Sequence, residues 1–190
     1  MILSDKKQLA VCRSLERTLF RLDDFTRETA LFPKPLFAKS WDYVGFLPFN
    51  DWFSSETEFA KLQQFLRASG NETFISAAPP VYDVPAVETG IDATVSEYNE
   101  EHAMTSVPDE RLRGTGLRIS PEVLYYDRQG RWAMVADLTH NLLICGMDQA
   151  VVVHFQAAFG NVKDTAMLIS ELESYNDGVL DQRESLLANY

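Results

Sequence analysis

Val123-Leu124-Tyr125-Tyr126, then Asp127-Arg128-Gln129-Gly130, then Arg131-Trp132-Ala133-Met134-Val135-Ala136-Asp137, is the stretch that decides the fold. Two runs rich in β-branched and aromatic residues flank a polar turn whose last position is glycine. After the short connection Leu138-Thr139-His140-Asn141, a third run begins, Leu142-Leu143-Ile144-Cys145-Gly146. Strand-length apolar runs separated by turn chemistry predict three consecutive antiparallel strands, a meander.

Working outward, helical periodicity takes over. Leu9, Cys12, Leu15, Leu19 and Leu22 recur at spacings of three and four behind the N-cap candidate Ser4, which predicts an amphipathic helix over 5–28. Ser55 and Glu58 fit a capping box, Phe59, Leu62, Phe65 and Leu66 form an apolar stripe, and Gly70 supplies the stop, so a helix is expected over 56–68. Trp41-Asp42-Tyr43-Val44-Gly45-Phe46-Leu47 and Thr73-Phe74-Ile75-Ser76 have strand character, and Leu117-Arg118-Ile119-Ser120 adds another short strand. Pro85 keeps its neighbouring residues out of a central strand. Residues 90–96 alternate like an edge strand, with 98–104 either continuing it or forming a short helix. A helix over 150–159 closes at Gly160, and another is expected over 162–175. The expected architecture is α+β: one domain over 1–190, an antiparallel sheet of four to six strands with a C-terminal meander, and helices packed on one face.

Charge is unevenly distributed. Between Arg67 and Arg111 lie 43 residues with no lysine or arginine and nine carboxylates, in a chain whose net charge is -11. Such a field repels phosphate backbones and anionic bilayers and attracts a basic partner over about 8 Å at physiological salt. Nucleic-acid and membrane partners are therefore disfavoured. Arg13, Arg17 and Arg21 form a stripe at i, i+4, i+8, either a solvated face or a surface turned toward the acidic segment. The aromatic-rich stretch containing Trp41, Tyr43, Phe46, Phe49, Trp52 and Phe53 suits a core, or alternatively an exposed binding face.

Catalytic patterns are missing from the sequence. The three histidines, His102, His140 and His154, have no metal-site spacing, and no Gly-x-Ser-x-Gly elbow occurs. Cys12 and Cys145 fall on apolar stretches and are expected to be reduced core thiols. Arg111-Leu112-Arg113-Gly114-Thr115-Gly116 has the composition of a phosphate loop but leads into a strand, so it reads as a linker. No cofactor, metal site or catalytic residue is expected. The N-terminal residues lack the long apolar region of a secretory signal, and the expected location is cytoplasmic.

The hairpin around Trp132, an acidic turn, a glycine and a tryptophan-led strand running on to Gly146, resembles strand pairs in small acidic bacterial toxin-immunity proteins over about 22 residues. The resemblance implies an antidote that covers a basic effector with an acidic surface. The expected function is a non-catalytic, acidic protein-binding domain with a basic protein partner. Its binding residues would be Glu88, Asp92, Glu97, Glu100, Glu101, Asp109 and Glu110. Two alternatives stand beside it. One is a structural or scaffolding subunit that uses the aromatic segment. The other is an unrecognised small-molecule binder or enzyme with a site built from Tyr126, Trp132, Asp137 and His140.

Overall fold

The computed structural model describes residues 3, 5–22, 36–48, 53–79, 86–103, 122–137 and 142–160. Its strands are β1 (Tyr43–Pro48), β2 (Thr73–Ala77), β3 (Val87–Gly90), β4 (Glu122–Tyr126), β5 (Trp132–Asp137) and β6 (Leu142–Met147). Its helices are α1 (Lys6–Leu19), α2 (Glu56–Ala68), α3 (Val95–Ala103) and α4 (Gln149–Phe159). The strands form one six-stranded sheet in the order β1-β6-β5-β4-β2-β3, with every pairing antiparallel. The fold is α+β with the meander β4-β5-β6 at its centre.

Gly130 adopts φ 66° and its N–H meets the Asp127 carbonyl at 3.1 Å, which closes the β4-β5 turn. Every residue of β4, β5 and β6 is buried. The cause is strands that are apolar on both sides, because successive side chains point to opposite faces and each face needs its own cover. Leu124, Tyr126, Ala133, Val135, Leu142 and Ile144 join one core, together with Cys12 and Leu19 of α1. Val123, Tyr125, Trp132, Met134, Leu143 and Cys145 join the other, together with α2, α3 and α4. Helices therefore cover both faces. This corrects the expectation that they share one face, and the uninterrupted apolar character of the meander is its physical reason.

Local chemistry explains most element ends. Asp5, not Ser4, caps α1 by accepting the N–H groups of Lys7 and Gln8 at 2.9 and 3.0 Å. The helix stops at Leu19 rather than running to 28, because Phe20 becomes extended and bridges Phe37. Residues 23–28 lie outside the described set. α2 has the expected bounds: Ser55 caps it, and Gly70 at φ 69° ends it in a Schellman turn in which the Asn71 N–H reaches the Leu66 carbonyl at 2.9 Å. The start of α4 borrows its cap, since the Asp42 carboxylate accepts the Gln149 N–H at 2.8 Å. The edge strand expected over 90–96 is displaced: β3 occupies Val87–Gly90, and a turn leads into α3. The strand expected at 117–120 and the helix expected over 162–175 lie outside the described residues.

Of the aromatic-rich stretch, Phe46 and Phe53 are fully buried, and Phe49 and Trp52 lie outside the described residues. Trp41 lies flat against Gly146 of β6, so that any side chain at position 146 would collide with the indole. Lys39 sits over the same ring, 4.2 Å from its centroid, and holds Asp148 at 2.6 Å. These rings serve packing.

Candidate functional site

The sequence points first to the acidic segment, whose described candidate residues lie on β3, the turn after it and α3. Glu88 lies opposite Ile75 on the sheet face that α1 covers. Arg128 grips it with two bonds of 2.6 Å, and Thr73 Oγ1 donates a third at 2.8 Å. The guanidinium holds the Glu88 carboxyl below the usual carboxylate range, and its side chain is only 11% exposed. Asp92 pairs with Arg67 at 3.2 Å, but the carboxylate is 90% exposed and the arginine 55%. Solvent screens such a pair to about 0–1 kcal/mol.

Glu97 closes a capping box at the start of α3. Its Oε2 accepts the Thr94 N–H at 2.7 Å, and Thr94 Oγ1 accepts the Glu97 N–H at 3.2 Å. That backbone bond lowers the carboxyl's pKa. Glu101 accepts a bond of 2.8 Å from Thr89 Oγ1 of β3 and ties helix to strand. Glu100 points to solvent. Asp109 and Glu110 lie outside the described residues. The structure thus leaves Asp92, Glu97 and Glu100 outward on the turn and α3, Glu97 and Glu100 being one helical turn apart. It sets Glu88 on the other face of the sheet, already engaged by arginine.

Three buried polar clusters lie elsewhere. Under α1, Glu16 is fully buried and accepts Arg13 Nη1 at 2.7 Å and the Tyr126 hydroxyl at 2.8 Å. Burial raises its pKa and raises that of Tyr126 as well. On the opposite face the hydroxyls of Tyr98 and Tyr125 meet at 3.0 Å, and His102 stacks on Tyr98 with centroids 5.4 Å apart. Burial lowers the His102 pKa to about 4, so its imidazole is neutral at physiological pH. The third cluster clamps the β4-β5 turn to the end of α2. Asp127 accepts Arg131 Nε at 2.8 Å, Arg131 Nη1 reaches the Ser69 carbonyl at 3.0 Å, and Trp132 Nε1 donates to Asn71 at 3.3 Å.

These clusters tie elements together, with Arg13 and Arg131 at their partly exposed margins. Burial pushes both thiols up, Cys145 most strongly, which keeps them protonated and poor nucleophiles. Both cysteines are free and buried. Among the described residues no group of three histidine, cysteine or carboxylate side chains is placed to hold a metal ion. Of the site imagined from Tyr126, Trp132, Asp137 and His140, the described members do not come together. Tyr126 belongs to the core under α1 and Trp132 to the core under the other helices. Asp137 is fully buried opposite Glu122. His140 lies outside the described residues.

Glu16 is the residue that sequence inspection passed over. Its signal was present: it stands four after Cys12 and three before Leu19, on the buried stripe. The Arg13–Arg17–Arg21 stripe also divides, because Arg13 turns inward to Glu16 while Arg17 and Arg21 stay exposed. Among the described residues no helix is long and apolar enough to cross a membrane. No protein-family model, curated protein or solved structure matches the chain.

Proposed function

We propose that the chain is a non-catalytic binding domain whose acidic edge engages a basic protein, with immunity-type inhibition of a basic effector as its sharpest form. The observation that carries this reading is the outward placement of Asp92, Glu97 and Glu100 on the β3–α3 edge, within a segment free of lysine and arginine. Glu97 and Glu100 have no cation paired with them among the described residues. Carboxylates held on a rigid, capped helix steer a cationic partner and make its association rate salt-dependent. The buried and protonated state of both thiols, and the sealed His102 cluster, favour binding over chemistry.

The test is affinity capture from the native host, then association kinetics with the purified partner at low and high ionic strength. A basic partner is expected, with an association rate that falls as salt rises and falls again in a Glu97→Lys/Glu100→Lys variant. A partner whose association ignores both salt and that charge reversal overturns the reading.

A further inference from the structure

Ten lysines and arginines fall among the described residues. Six of them, Arg13, Lys39, Lys61, Arg67, Arg128 and Arg131, hold a carboxylate. The other four, Lys6, Lys7, Arg17 and Arg21, pair with no carboxylate among the described residues, and all lie on α1 or just past its end. Each is exposed. In a chain of net charge -11, the described cations left without a described carboxylate partner are thus gathered on or just past one helix.

Two further features mark this side of α1. Lys6 and Lys7 stand in the first turn, where the helix dipole disfavours positive charge, and that turn contains no acidic residue. Val11, 59% exposed and one of two large apolar side chains left in solvent among the described residues, stands one turn beyond Lys7. Ala10 and Ser14, both exposed, fill the space between the lysines and Arg17. The first-turn N–H groups are not available to an anion, because Asp5 already accepts those of Lys7 and Gln8. A ligand must therefore lie along the helix rather than at its tip.

From this we infer a docking surface on the exposed side of α1 for an acidic segment of a protein partner, with carboxylates set around one apolar side chain. An apolar centre with a charged rim is the anatomy of a protein interface. It suits a phosphate backbone poorly, since Val11 and Ala10 occupy the middle, and the net charge of the chain repels nucleic acid and anionic bilayers at long range. The surface faces away from α3, which lies across the sheet. It is independent of the acidic edge assigned above.

Fluorescence anisotropy with a labelled peptide that sets glutamates around a single leucine tests the inference. A single-stranded oligonucleotide and phosphatidylserine vesicles serve as parallel probes. The peptide is expected to bind at low ionic strength and to weaken as salt rises. Lys7→Glu with Arg17→Glu should weaken it about tenfold, as expected when exposed charge contacts become repulsive. Val11→Asp should weaken it less, and Lys61→Glu, across the sheet, should leave it unchanged. Circular dichroism checks folding, and Lys7→Gln with Arg17→Gln carries the same test should the double reversal fail to fold. Three results overturn the inference: no peptide binding at low salt, peptide binding indifferent to the α1 substitutions, or tighter binding of the oligonucleotide or vesicles than of the peptide.

Discussion

The two faces of the sheet are covered by different means. On one, α2, α3 and α4 lay down a continuous aromatic layer, with Phe65 5.4 Å from Trp132 and 5.3 Å from Phe155, and Phe59 stacked on Tyr98 at 4.9 Å. On the other, the described cover is one helix, α1, joined by Leu3, Phe20, Leu36, Phe37 and Trp41 from the connections around it. The three-helix face buries uncharged polar groups among its aromatics: tyrosine hydroxyls, Ser76, Thr89, the Trp132–Asn71 bond and one neutral imidazole. The α1 face buries Glu16, which is tolerable because Arg13 and Tyr126 both bond to it. The first face holds mainly by aromatic packing, whereas the second sets a hydrogen-bonded carboxylate into its core.

The largest effect that sharpens this contrast is expected from Trp132→Ala. It should cost about 3–5 kcal/mol by urea denaturation, through lost burial and a cavity that three helices cannot collapse. Leu19→Ala on the other face should cost less, about 2–3 kcal/mol. If Leu19→Ala proves the costlier change, the ranking of the two faces is reversed.

Acid should next separate the faces by sign. His102 has a folded pKa of about 4 against an ordinary 6.5, so the unfolded chain takes up its proton first. The stability it contributes is complete above 6.5 and is lost as pH falls toward 4, on the order of 3 kcal/mol. Glu16 works in the opposite sense. Its folded pKa is raised above 4.5, so its contribution is present below that value and is lost as pH rises through the folded pKa. His102→Gln should flatten the acid limb of the stability curve, and Glu16→Gln should gain on the wild type as pH rises. Stability profiles of the two variants that move in the same direction would erase the distinction. The smallest effect is expected from Tyr126→Phe, about 1–2 kcal/mol, because one bond to Glu16 is lost while Arg13 remains.

The legibility of the fold in the sequence tracks the same divide. β4, β5, β6 and α2 were readable because long apolar runs and stripes sit between unambiguous signals: Gly130 in its left-handed turn, Ser55 at a cap, Gly70 at a stop. β3 and α3 were not. β3 has only four residues and carries Glu88 and Thr89, while the alternation at 90–96 imitates a strand although Thr94 and Glu97 form a capping box. The apolar face of α3 consists of little more than Val95, Tyr98 and His102, too short a stripe to show its period. Of the candidate site, the acidic composition was readable, but its geometry was not. Nothing in a single chain of letters shows that Arg128, forty residues on, closes on Glu88 while Glu100 stays in solvent. Such pairings depend on strand order, which local patterns do not encode.

That strand order also sets a schedule for synthesis. Tyr43 pairs with Met147, at the edge of the sheet where β1 meets β6. During translation β1 is made early, yet its partner β6 does not exist until the meander has left the ribosome. Its run Tyr43-Val44-Gly45-Phe46-Leu47 must wait unpaired through the synthesis of about a hundred residues. A nascent chain with an apolar strand held open that long is a natural client for chaperones, and closure of this strand belongs among the late events of folding.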